Sequence, residues 1–138
     1  MSENRCAIVI PVYRDVLNPL EQIAMEQWAR VLHSYPIVLC GPEGLNIELY
    51  REILGEIRWE SFATEHFSSI ENYSRLLLNP HFHERFREHQ FMLLYQTDAF
   101  IFRDELNKWC DTDYDYMGAP FLKNDAKDIH NLQNWVGG

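Results

Sequence analysis

Short continuous apolar runs alternate along the chain with stretches in which apolar residues recur every three or four positions. CAIVIPV, residues 6–12, is continuous and β-branched, the pattern of a strand buried on both faces of a parallel sheet. The period then changes: Leu20, Ile23, Ala24, Trp28, Val31, Leu32 and Tyr35 form one helical stripe. Asn18 is its N-cap, Pro19 takes the first helical position, Glu21 completes a capping box, and Pro36 ends the helix. PIVLC (36–40) reads as the second strand, closing in the turn GPEG, and Leu49, Tyr50, Ile53, Leu54 and Ile57 mark a second amphipathic helix. IRWESFA (57–63) is a weaker third strand. Ser68 and Glu71 form another capping box that opens a helix through Leu78, and Asn79-Pro80 starts the short helix HFHERFRE. QFMLLYQ (90–96) is the fourth and most apolar strand. After Asp98 the pattern predicts that AFIF continues extended, that DELNKWC is helical, and that DYMGAP is a strand entering a turn.

Strands and helices in alternation, joined by short connections, predict an α/β fold: a Rossmann-like, mostly parallel sheet flanked by helices. Residues 1–138 form a single domain on this reading. The tail, residues 121–138, loses periodicity and ends in Trp135-Val136 and two glycines. The expectation is therefore a domain incomplete at its C-terminus, which self-associates or meets a second chain through an apolar face near 117–136.

Composition narrows the partners. A net charge of -9 without a basic block argues against a nucleic-acid partner, which needs a cationic track. Cys6, Cys40 and Cys110 are odd in number and form no CxxC pair, so they read as free thiols in a reducing compartment. The apolar run near the N-terminus is too short for a signal peptide or a transmembrane segment. A cytoplasmic protein is expected.

The candidate chemistry sits in LLYQTDAFIFR, residues 93–103, where one acid interrupts two apolar runs. Ligands of open α/β sheets bind beyond the carboxyl ends of the strands, and Asp98 directly follows such a strand. Two readings stand: the carboxylate caps the next turn, or, held rigidly in a dry wall, it is a ligand for a hard cation bridging phosphates. Other motifs do not carry chemistry. His81 and His83 lie two apart, on opposite sides of a helix, and with His89 read as surface histidines. Ser68 and Ser69 read as caps, no GxGxxG appears, GPEG is too short to cradle phosphate, and DTDYDY lacks the glycine and distal glutamate of a calcium loop.

IVIPVYR (8–14), YQTDAFIFRDELNKW (95–109) and DYDYMGAP (113–120), in that order, resemble bacterial glycosyltransferase-like proteins of the GT-A (nucleotide-diphospho-sugar transferase) fold. The resemblance spans residues 6–120. It implies transfer of a sugar from a nucleotide-diphosphate sugar to a glycan or lipid-linked acceptor. It also implies Mg²⁺ or Mn²⁺ held by an Asp-x-Asp motif, here Gln96-Thr97-Asp98, with Asp98 as the metal ligand and a neutral amide in place of the first acid. Pro11, Val12, Tyr13 and Arg14 would meet the nucleotide, Tyr13 stacking on the base and Arg14 reaching a phosphate. On the helix holding Asn72, Tyr73 and Arg75, the resemblance offers Arg75 to phosphate or ribose, while Tyr73 and Leu77 read as core. Gly118, Ala119 and Pro120 would line the acceptor side. A catalytic base is not identifiable, and retention or inversion stays open. Two alternatives remain: a nucleotide-sugar-binding module without activity, and an α/β interaction domain in which Asp98 is structural.

Overall fold

The computed structural model describes residues 5–118, together with the backbone of 120–121 and 136–137. Strands β1 (Cys6–Pro11), β2 (Ile37–Pro42), β3 (Arg58–Phe62) and β4 (Phe91–Leu94) form one parallel sheet in the order β3-β2-β1-β4. The expected α/β architecture is therefore present. Cys6 through Ile10 are fully buried, and their side chains alternate between two cores as the pleat requires. Ile8 and Ile10 pack with Met25, Trp28 and Leu39 on one face, whereas Val9 joins Val38, Cys40, Phe62 and Leu76 on the other.

Helices α1 (Pro19–Val31) and α2 (Glu48–Leu54) supply side chains to the first core; α3 (Ile70–Leu78) and α4 (Pro80–Glu84) supply the second. The chain runs outward from β1 to β3 and then returns to add β4 on the far side of β1. That reversal makes the gap between the carboxyl ends of β1 and β4 the topological switch point, where an open α/β sheet leaves a crevice.

The caps hold α1 as expected: Asn18 Oδ1 accepts from Leu20 N and Glu21 N, and Glu21 Oε2 accepts from Asn18 N at 2.9 Å. Its buried face is rotated from the expected stripe. Glu21, Ala24, Met25, Trp28, Leu32 and Tyr35 are buried, while Leu20 and Ile23 are exposed, because the row facing the sheet starts at the capping acid. The second capping box is absent as read. Ser69 caps α3 by accepting from Asn72 N at 3.1 Å, Ser68 Oγ donates to Glu65 O, and Glu71 pairs with Arg75 along the helix.

Three further expectations are corrected. β4 is half-buried along its length, since among the described residues only β1 pairs with it. AFIF is not a strand: Phe100 and Phe102 are exposed and meet each other edge-on at 5.2 Å. DYMGAP (115–120) has no strand through 115–118; its last residue enters the short strand Pro120–Phe121 (β5), which pairs antiparallel with Val136–Gly137 (β6). Helix α5 covers Leu106–Cys110. Most of the face expected to self-associate lies outside the described residues. Among the histidines, His81 and His83 are exposed as read, but the His89 side chain is largely buried. The three cysteines are free and buried; burial pushes the thiols of Cys6 and Cys40 up to about 12, so both stay protonated and unreactive. No helix among the described residues is long and apolar enough to cross a membrane.

Candidate functional site

A cleft of about 680 Å³ opens at the switch point, walled by the loop after β1, the turn after β4 and one face of α3. Gly41 in β2 sets how closely the end of β1 approaches. A Cβ there would stand 2.3 Å from Val12 O and 2.8 Å from the Trp59 ring, so only glycine allows the end of β1 to approach β2 so closely.

The first wall is Pro11 and Tyr13. Tyr13 is 60% exposed rather than packed on the first helix, and the Arg14 guanidinium lies 5.2 Å from its ring centroid, a cation–π distance. Arg14 Nη2 donates to Glu21 Oε1 at 2.8 Å, and Tyr50 OH donates to Arg14 O at 2.7 Å. Of the residues the sequence placed here, Arg14 does not line the cleft, being held by Glu21, and neither does Val12, which faces the core at 2% exposure. The alternation of an extended chain sends it to the opposite side from Pro11 and Tyr13.

The second wall is the turn Gln96–Ala99. Ala99 N–H closes it onto Gln96 O at 3.1 Å, Tyr95 N–H donates to Val9 O at 2.9 Å, and Tyr95 OH donates to Ala99 O. Burial, with the Asp98 carboxylate beside it, pushes the Tyr95 phenol up to about 12, which keeps that donor protonated. Thr97 Oγ1 donates to Glu21 Oε1 at 3.1 Å. Asp98 lies at the third position of the turn, exposed at the cleft rim, not in a dry wall. No hydrogen bond or ion pair among the described residues engages its carboxylate. The turn is therefore closed by its neighbours, and Asp98 does not act as its cap.

The third wall is the Ile70, Tyr73, Ser74 and Leu77 face of α3, with Ser69 at its cap. These positions stand at i, i+3, i+4 and i+7, one helical face. Tyr73 and Leu77, read as core, are half-buried cleft residues. The Tyr73 hydroxyl is shielded from solvent without a partner among the described residues, and burial pushes it up to about 12. Arg75 does not reach the cleft; it lies on the outer face, 2.6 Å from Glu71. Asn72 bonds Glu65 O and Ser68 Oγ, fixing the helix start. Gly118 is not among the lining residues, Ala119 lies outside the described residues, and Pro120 is described only as a strand residue paired with Gly137.

Among the described residues no group of three or more His, Cys, Asp or Glu converges as a metal site. Asp98 fits a different arrangement, one carboxylate sharing a hard cation with the oxygens of a bound ligand and water. Glu21, the other acid of the cleft, has both oxygens occupied by donors.

Residues 56–138 match the family model described as "Protein of unknown function (DUF5672)". The chain belongs to the DUF5672 family. No curated protein and no solved structure matches it. The DUF5672 match takes in α3, β4 and the turn bearing Asp98, hence two of the three walls; Tyr13 and Glu21 precede it. Glu21, Phe67, Ser69, Ile70 and Ser74 are cleft residues that the sequence reading did not place there. Their one signal was the helical face that Ile70, Ser74 and Leu77 share.

Proposed function

We propose that this chain is a nucleotide-sugar-binding domain of the GT-A type, acting in transfer of a sugar from a nucleotide-diphosphate donor to a glycan or lipid-linked acceptor. The observation that carries this reading is the Asp98 carboxylate, unpaired among the described residues, on the rim of a switch-point cleft that the exposed Tyr13 also lines. An exposed aromatic face suits a nucleobase, and a free carboxylate at a strand end suits a cation that neutralises a diphosphate. Mg²⁺ or Mn²⁺ held by Asp98 would supply charge stabilisation to a departing diphosphate. Gln96, exposed at the same turn, offers an amide to hydroxyl groups of the donor. Ser69 and Ser74 add two hydroxyls on the α3 wall, within the span that matches the family.

Binding of UDP and GDP, each with and without Mn²⁺, tests the reading by thermal unfolding. Saturation at ~100 times Kd adds ~2.7 kcal/mol, a rise of several degrees. Loss of that rise in Asp98→Asn would assign it to this site, and no rise with either nucleotide would favour an interaction domain instead. Product analysis with nucleotide sugars then separates a transferase from a binding module. The neutral Gln96 beside a lone acid favours the module as the second reading.

A further inference from the structure

Glu21 is the one buried charged residue among the described residues, 6% exposed. Burying a carboxylate is costly unless donors satisfy it, and a capping box asks only for one oxygen facing the N-cap amide. Oε2 does that work, accepting from Asn18 N at 2.9 Å. Oε1 accepts two further bonds from two separate loops, Arg14 Nη2 at 2.8 Å and Thr97 Oγ1 at 3.1 Å.

We infer that Glu21 is a positioning residue that clamps the loop after β1 to the turn after β4 and so sets the spacing of the cleft walls. Arg14 lies over the ring of Tyr13, so fixing its guanidinium fixes the aromatic wall. Thr97 stands between Gln96 and Asp98, so fixing its hydroxyl fixes the turn that carries the acid. The spacing between the two loops that carry ring and carboxylate is thereby set by one side chain that offers neither of its oxygens to a ligand. The pair also places the negative charge of Glu21 against Arg14, which makes Arg14 a held side chain rather than an open anion grip.

Amide hydrogen exchange on the full chain tests the clamp without any ligand. Glu21→Gln keeps an acceptor for Asn18 N–H but loses the charge pair with Arg14. Exchange should speed about fivefold, the effect of roughly 1 kcal/mol, in both 12–17 and 95–99, while α1 stays protected. Thr97→Val should speed 95–99 alone. Acceleration confined to 19–22 would reduce Glu21 to a cap and overturn the inference, as would no change in either loop. If Glu21→Gln fails to fold, the double-mutant cycle of Arg14→Met with Thr97→Val decides. The clamp predicts non-additive unfolding constants, whereas additive ones contradict it. UDP with Mn²⁺ gives an independent arm. Should the parent bind, Glu21→Gln should weaken it about tenfold, equivalent to ~1.4 kcal/mol, and equal affinity would remove the positioning role. Should the parent not bind, the nucleotide reading fails while the exchange result still decides the clamp.

Discussion

β1 and β4 are paired neighbours with equally apolar sequences, and they differ in almost everything else. CAIVI is buried residue by residue on both faces, with Pro11 half-buried at its end, whereas FMLL is half-buried throughout. β1 lies between β2 and β4; among the described residues β4 has β1 alone. Their loops differ as well. After β1, Arg14 is paired with Glu21 and Val12 is packed in the core; after β4, Asp98 at the rim has no partner among the described residues. An apolar run reports that a strand forms, and its neighbours decide how much of it is buried. The more rigid strand supplies the frame, and the more open one presents the reactive-looking group.

Truncating each strand should separate them most. Ile10→Ala in β1 leaves a cavity in a fully buried site and should cost ~3–4 kcal/mol. Leu93→Ala in β4, half-buried, should cost about half of that. Equal costs in urea melts would break the contrast. Gly41→Ala is next: its Cβ overlaps the Val12 carbonyl, and relieving the clash should cost roughly 1–3 kcal/mol. Because that shift moves the end of β1, it should also alter the fluorescence or amide signals of the Tyr13 loop.

Alkaline unfolding probes the junction between the strands. Tyr35, Tyr50, Tyr73 and Tyr95 are each pushed from 10.0 to about 12, with burial the largest cause in every case. The folded state then holds more protons than the unfolded state between those values. Stability is full below pH 10 and falls as pH rises through 12. Tyr95→Phe removes the hydroxyl bond to Ala99 O, should cost ~1 kcal/mol at neutral pH, and should flatten part of the alkaline loss. A profile unchanged by that substitution would show that Tyr95 does not report on the junction. The smallest effect is expected at Asp98→Asn, within ~0.5 kcal/mol because the carboxylate is exposed and unpaired. A much larger loss would mean that the acid supports the fold.

Much of this fold was legible in periodicity. The β-branched run at 6–12, the capped start of α1 at Asn18 and Pro19, and the N-cap at Asn79 are local signals, and each marks an element where it forms. The expectations that differ depend on contacts distant in sequence. Burial of β4 depends on which strands flank it, and the rotation of α1 on where the sheet lies beneath it. Phe100 and Phe102 read as strand because they are apolar, yet no described strand pairs with them. The cleft was legible at Pro11, Tyr13 and 96–98 because strand ends are fixed by topology. Glu21 was legible only as a cap, since Thr97, which shares its carboxylate, is 76 residues away.

Amide hydrogen exchange of the full chain with UDP and Mn²⁺ tests the placement of the site most directly. The nucleotide should slow exchange at 11–14, 69–77 and 96–98, and Asp98→Asn should abolish the protection without altering exchange in β1. Protection centred instead on the depression at the amino end of the sheet, lined by Arg51, Gly55 and Arg58, or protection nowhere, would contradict that placement.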